Sequence, residues 1–246
     1  VNRWTLVVAA FVAIVVAALF LRMLPPIVVL ALFVAGTAYA TTWLKRRARA
    51  QVGKTGAEVL GLKREVGDPF GLLAFPLVLF ARTTDPDIDE LVWGSWHGID
   101  VTVFGLTFDA PSLPGSPRRA AFACALARVD ASFPSVVAEP QAMMTSFERA
   151  PAAEAVELED RAFDVEWNVW SDDPSFAREL LDAPMRDWLR SLGDAWGIEV
   201  NGQMAVVYGP RPPRPDMFGV LESLKGLLEH VRSELRAAHP PAASST

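Results

Sequence analysis

Two long apolar runs open the chain, Trp4 to Leu21 and Ile27 to Leu44. Each holds about 18 residues, near the lower bound of the ~17–25 that let an α-helix span a hydrocarbon layer of ~30 Å. A helix buried in a soluble core keeps a polar stripe, and neither run has one. Only Arg22 to Pro26 separates them, and Pro25-Pro26 closes the link. So short a connection predicts an antiparallel transmembrane hairpin, with helices at about 4–21 and 27–44. A cleaved signal peptide fits less well, because its apolar core is usually about 7–15 residues and no second run follows. Ala9, Ala13 and Ala17, with Ala31/Ala35 and Gly36/Ala40, place small residues at four-residue spacing, which suits close packing of the two helices in lipid.

Beyond residue 50 the patterns are those of a folded domain. Residues 45–66 continue the second helix or form a short juxtamembrane one, interrupted by Gly53 and Gly56. Phe75 to Arg82 reads as a short strand or packed segment. Leu91 to Trp96 and Ile99 to Phe108 read as strands joined by a two-residue turn, His97-Gly98, where glycine supplies positive φ. Pro111 to Pro117 reads as a loop. Further strands are predicted over Arg119–Val129 and Val136–Ala138, then a helical turn or two near Gln141–Arg149. Phe163, Val165, Trp167 and Val169 alternate with Asp164, Glu166 and Asn168, which predicts a strand with one wet face carrying Trp170. Asp172-Asp173-Pro174 predicts a helix start, followed by helices from Ser175 to about Leu181 and from Pro184 to about Trp196. Asn201-Gly202 between apolar runs predicts a type I′ hairpin. After the Pro-rich link 209–215, Phe218, Leu221, Leu224, Leu228, Val231 and Leu235 form the stripe of an amphipathic C-terminal helix.

The expected architecture is therefore α+β: a transmembrane helical hairpin with a basic collar over 1–50, then a mainly antiparallel sheet with helices on one face over 51–237. A disordered tail is expected over 238–246.

Charge gives the orientation. Lys45, Arg46, Arg47 and Arg49 crowd the end of the second run, Arg3 precedes the first, and the hairpin loop holds only Arg22. The positive-inside rule then puts both termini in the cytoplasm, with Trp4 and Trp43 at that membrane interface. The expected location is the inner (plasma) membrane. The whole chain has 23 Lys+Arg and 29 Asp+Glu; removing the six basic residues of the anchor leaves 17 against 29, a net of −12. Such a domain is repelled by phosphate backbones and stands off anionic lipid, which argues against nucleic acid as a partner. The single cysteine, Cys124, suits a reducing compartment and reads as a core thiol among alternating apolar residues.

Several local patterns carry candidate chemistry. Gly53-Lys54-Thr55 resembles the end of a phosphate-binding loop, but Ala48 stands where the pattern needs glycine and no strand precedes it. Asp85, Asp87, Asp89 and Glu90 lie within six residues and could hold a divalent cation, or form a solvated acidic loop; the glycine and flanking helices of an EF-hand are absent. Glu154 to Asp160 reads as a second wet acidic segment. Ser95 and His97 would point the same way along a strand, which allows a hydrolytic pair, though no acidic orienter is identifiable. Ser95 is also misplaced for a Gly-x-Ser-x-Gly elbow. Asp172-Asp173 reads as capping before catalysis. No histidine or cysteine spacing suits zinc, and no cofactor is implied. Trp170 is a candidate interface anchor, or equally a side chain packed under the helix that follows it. Pro210 and Pro213, in Pro210-Arg211-Pro212-Pro213-Arg214-Pro215, resemble a polyproline ligand or a stiff spacer.

The hairpin, the His97-Gly98 tip and the run Phe163-Asp164-Val165-Glu166-Trp167-Asn168-Val169-Trp170-Ser171-Asp172-Asp173-Pro174, followed by Leu180-Leu181 and Met185-x-x-Trp188-Leu189, resemble a group of uncharacterised bacterial, especially actinobacterial, two-pass membrane proteins. The likeness spans most of 1–208 and is specific near 163–189; Glu166-Trp167 stands where that group often has Phe-Asn. The resemblance implies the topology and the cytoplasmic α+β domain, and no activity comes with it. The function expected is a membrane-anchored protein-interaction or scaffold domain with a protein partner. The alternatives are a tethered hydrolase or transferase using Ser95 and His97, and an acidic cation-dependent module at Asp85, Asp87 and Asp89.

Overall fold

A computed structural model describes residues 57–111, 118–147, 149–211 and 217–241. The chain divides into two compact units, Val1–Gly53 and Lys54–Thr246, and the described residues all belong to the second. The hairpin helices, Trp4, Trp43, the collar residues Lys45, Arg46, Arg47 and Arg49, the Gly53-Lys54-Thr55 segment, most of the 111–117 loop and Pro213 lie outside the described residues. Among the described residues no helix is long and apolar enough to cross a membrane.

The domain is α+β. Its strands are β1 (Lys63–Glu65), β2 (Thr84–Trp96), β3 (Ile99–Ala110), β4 (Arg118–Pro140), β5 (Glu154–Ala155), β6 (Trp167–Ser171) and β7 (Gly197–Pro210). Its helices are α1 (Val78–Ala81), α2 (Arg161–Glu166), α3 (Pro174–Leu180), α4 (Ala183–Ser191), α5 (Met217–His230) and α6 (Ser233–Ala238), with 3-10 turns at Leu72–Ala74 and Gln141–Ser146. All strand pairs are antiparallel in one seven-stranded sheet of order β1-β2-β3-β4-β6-β5, with β7 on the other edge of β4.

The 23-residue β4 is the spine. Its first half lies between β3 and β7, its last five residues pair with β6, and β7 follows it from Phe122↔Pro210 to Ala138↔Ile198. The register slips between Arg128 and Val136, and Gly202, at φ +55°, sits opposite Phe133 in that gap. The Asn201-Gly202 hairpin expected from sequence is thus a bulge inside one continuous strand. Each half of β7 finds a longer partner in β4 than in the other half, and Gly202 supplies the backbone conformation that the bulge needs. Asn201 Nδ2 fixes the kink by donating to the Pro76 carbonyl at 2.6 Å. The His97-Gly98 turn does form: Trp96 pairs with Ile99, and φ is +51° at His97 and +78° at Gly98.

A second expectation fails over residues 161–166, which are helical. Asp160 caps α2 by accepting from Phe163 N at 3.2 Å, and Asp164 Oδ1 accepts from Leu158 N at 3.1 Å. These local bonds outcompete the apolar alternation, which survives only from Trp167 to Val169, so Val165 is exposed. The cap expected at Asp173 is present, its Oδ1 accepting from Ser175 N and Phe176 N at 3.0 and 3.1 Å. Helix α4 stops at Ser191, short of Trp196, with Gly193 just beyond it at φ +73°. The C-terminal stripe is split into α5 and α6. His239, expected in a disordered tail, is docked: its carbonyl accepts from Ser132 N at 2.8 Å, and its ring lies 4.9 Å from that of Phe176.

Strand alternation gives the sheet two buried faces. Val101, Val103, Ala125, Ala127, Val136, Ala138, Ile198 and Val200 face one core, closed by residues of α3, α4, α5 and α6 such as Phe176, Leu189, Leu224 and Leu235. Phe104, Leu106, Phe108, Phe122, Cys124, Leu126, Val206 and Tyr208 face the other, closed by Leu72, Leu77, Leu79, Phe80, Met143 and Phe147 from α1 and the 3-10 turns. The longer helices thus occupy one side. Strand β7 curls so far that its two ends meet: the space a Cβ on Gly209 would fill is taken by the Ala195 carbonyl and the Trp196 ring.

Candidate functional site

The residues singled out by sequence do not converge. Ser95 and His97 are both exposed at the β2–β3 tip, and among the described residues no hydrogen bond joins them; the His97 ring packs edge-on against Trp96, centroids 4.5 Å apart. The Asp85–Glu90 run is strand, not loop. Arg119 takes Asp85 at 3.0 Å, Arg211 takes Asp89 at 2.7 Å, and Arg64 takes Glu90 at 2.9 Å. Among the described residues no group of three His, Cys, Asp or Glu is placed to hold a metal ion. Cys124 is buried, and burial pushes its thiol well above the ordinary value. Pro210 ends β7, exposed and opposite Phe122. Trp170, expected on a wet face, is buried at 8% exposure, because strand β6 begins only at Trp167 and is flanked by β4 and β5. Asp173 caps, and Asp172 N donates to the Ser135 carbonyl.

What the fold does gather is a set of ionisable groups missed in the sequence. Glu139 near the end of β4, Glu199 and Tyr208 on β7, and Arg82 just after α1 project into the core closed by α1 and the 3-10 turns. Glu139, Glu199 and Tyr208 are fully buried, and Arg82 is 3% exposed. Glu139 Oε1 accepts from Arg82 Nη1 at 2.7 Å and from the Tyr208 hydroxyl at 2.6 Å. The guanidinium also donates from Nε to the Arg149 carbonyl at 2.9 Å and stacks 4.1 Å from the Phe147 ring centroid and 5.6 Å from that of Trp170. Glu139 Oε2 has no partner among the described residues.

Glu199 sits alongside. Its Oε1 and Oε2 accept from Val78 N and Leu79 N at 2.6 and 2.9 Å, which ties the first turn of α1 to the sheet. Burial pushes the Glu199 carboxyl up to about 7; the two N–H bonds oppose that rise, the charge on Glu139 adds to it, and Arg82 opposes it. Burial first, and then the two carboxylates, hold the Tyr208 phenol well above its ordinary value. Gly197 makes room for the set, because a Cβ there would lie 3.1 Å from both Glu139 and Tyr208 side-chain atoms. An acidic residue among apolar neighbours (Ala138-Glu139-Pro140, Ile198-Glu199-Val200) is the sequence signal, but nothing local says where its partner lies.

A shallow cleft of about 250 Å³ opens where the end of β4 meets β6 and the α4–β7 connection, lined by Pro140, Gln141, Glu166, Trp167, Arg190 and Asp194. Glu166 and Asp194 are exposed there. Arg190 is committed elsewhere, with Nη2 on Asp160 at 2.9 Å and Nη1 on Asp187 at 3.0 Å. Asp160 is held below the usual carboxylate value by the Phe163 N–H bond first and the Arg190 bond next. The cleft thus has two exposed carboxylates, Glu166 and Asp194, beside Pro140 and Trp167.

No family model matches the chain, and no curated protein does. Among solved structures it is similar to the crystal structure of the mycobacterial trehalose monomycolate transport factor A, TtfA. The TM-score is 0.58 at 15% identity, over 80% of this chain and 99% of that chain. At that identity the likeness is one of fold.

Proposed function

We propose that this chain is a non-catalytic accessory protein, held at the inner membrane by its N-terminal hairpin, whose cytoplasmic α+β domain works by binding a protein partner. The observation that carries this reading is the sealing of the ionisable centre. Arg82, Glu139, Glu199 and Tyr208 form a buried cluster of ionisable groups in which burial pushes the Glu199 carboxyl up, and such clusters are where chemistry is ordinarily sought. Here they are at most 3% exposed and bonded to one another and to the α1 backbone, so they hold the fold in place of meeting a substrate. The pattern of basic residues around the two apolar runs supports the anchor and its orientation. TtfA is named as a transport factor, which is in keeping with an accessory role beside a membrane.

The test is photo-crosslinking of the full chain in native membranes, with the crosslinker placed at Glu166 or Asp194 on the cleft rim and, as control, at exposed Asp130. A defined partner recovered from the rim positions and not from Asp130 is the expected outcome. Recovery of nothing reproducible from any of the three sites would count against partner binding.

A further inference from the structure

The β4–β7 register sets two buried carboxyls side by side. Val137 stands directly opposite Glu199, so Glu139, two residues along β4, is the diagonal neighbour of Glu199 on the same face of the sheet. Such neighbours lie about 7–8 Å apart, within reach of two long side chains. Their oxygens are used unequally. Both oxygens of Glu199 accept from the first turn of α1, Oε1 from Val78 N at 2.6 Å and Oε2 from Leu79 N at 2.9 Å. Glu139 Oε1 takes two donors, Arg82 Nη1 and the Tyr208 hydroxyl, while Oε2 is buried with no donor among the described residues.

The charges do not balance. Burial, the largest cause, keeps the Tyr208 phenol neutral, so with both carboxyls ionised two negative charges face the single guanidinium of Arg82. An uncompensated charge in a sealed core is costly, and a buried carboxyl relieves that cost by taking up a proton. The other elements packed here supply no further charge: α1 is Val78 to Ala81, the 3-10 turn presents Met143, and burial keeps the Cys124 thiol neutral. Burial pushes the Glu199 carboxyl up to about 7, which puts its proton in play near neutral pH. A proton also changes what an oxygen can do, because it turns an acceptor into a donor. On Glu199 Oε2, whose bond is the longer of the two, it competes with the Leu79 N–H and needs an acceptor of its own. The vacant acceptor beside it is Glu139 Oε2.

We propose that Glu139 and Glu199 are a proton-binding pair that works as a latch on α1: one proton from solvent binds Glu199 Oε2, its O–H donates to Glu139 Oε2, and the bond from Leu79 N is given up. Helix α1 is then held to the sheet by both oxygens of Glu199 when the proton is absent and by one when it is present. Proton uptake removes a buried charge, so the fold as a whole gains stability while the first turn of α1 loosens. The inference is independent of the anchor and of the partner proposed above.

The experiment is a pH titration of the full chain in micelles by nuclear magnetic resonance, with glutamate carboxyl carbons and backbone amides labelled. The expected result is one event near neutral pH that moves the carboxyl carbons of Glu139 and Glu199 and the amides of Val78 and Leu79 together. Hydrogen exchange at Leu79, corrected for the intrinsic effect of pH, should be severalfold faster on the acid side. Glu199→Gln carries a permanent donor and a single acceptor oxygen, so its α1 amides are expected to keep the acid-side positions at every pH. A Glu199 carbon that titrates while Glu139 and the Leu79 amide stay still overturns the shared proton, and so does a Glu199 carbon that does not titrate between pH 5 and 8.5. If Glu199→Gln fails to fold, the titration of the natural chain decides by itself.

Discussion

Glu199 has a carboxyl that burial pushes from 4.5 up to about 7, although two backbone N–H groups bond its oxygens. The unfolded chain leaves this group near its ordinary value, so between those limits the folded protein keeps a proton that the unfolded chain has lost. A raised folded value means stability present in full below about 4.5 and lost as pH rises through about 7. A separation of that size corresponds to on the order of 3 kcal/mol. In urea unfolding of the full chain in micelles, followed by tryptophan fluorescence, the midpoint is expected to fall between pH 5 and 7.5, and Glu199→Gln is expected to flatten that fall. Parallel curves for the two proteins would assign the pH dependence elsewhere. Beside Glu199, Glu139 Oε1 accepts from Arg82 and from the Tyr208 hydroxyl. These pairs also mark the limit of sequence reading at this scale. The Asp173 cap is legible because its donors lie two and three residues away. Arg82 and Glu139 are 57 residues apart, and Glu139 and Tyr208 69, so no local pattern joins them.

Elements were legible where a local preference and the sheet agreed. His97-Gly98 closes β2 onto β3 because both strands are free to pair with each other there. Asn201-Gly202 has the stronger turn signal, yet β4 offers eleven partners to β7 from Phe122 to Ala138, and that longer ladder wins. The same competition removes the strand expected at Phe163: Asp160 and Asp164 supply backbone bonds that favour a helical turn, and only Trp167 onward can reach β4. The bulge reading gives a specific expectation for Gly202. Its φ of +55° is costly for a residue with a Cβ, though nothing crowds the position. Gly202→Ala is therefore expected to lower stability by about 1–2 kcal/mol through backbone strain alone. Gly202→Asn is expected to recover part of that, since asparagine tolerates the left-handed region. The urea midpoint measures both. An unchanged midpoint for Gly202→Ala would mean that β7 relaxes its kink at no cost.

The whole chain joins a folded acidic body to an apolar, basic beginning, and the two follow different rules. The body's fold class was legible because α+β patterning is local and repeated. Its curled β4–β7 ribbon was not, because that depends on a register slip between strands some 70 residues apart. The predicted anchor obeys a rule in which basic residues close to the spans decide orientation, while acidic residues and distant domains contribute little. On the proposed anchoring, the net charge of the body would not decide which side it occupies, and Lys45, Arg46, Arg47 and Arg49 would. Replacing those four by serine and adding two lysines beside Arg22 moves the basic excess to the hairpin loop. A reporter fused after Thr246 is expected to be active in the cytoplasm for the natural sequence and to shift to the outer side, in whole or in large part, for the altered one. If the reporter stays cytoplasmic despite the moved charges, the body and not the collar sets the orientation. If the natural sequence already reports from outside, the cytoplasmic placement is wrong at its root.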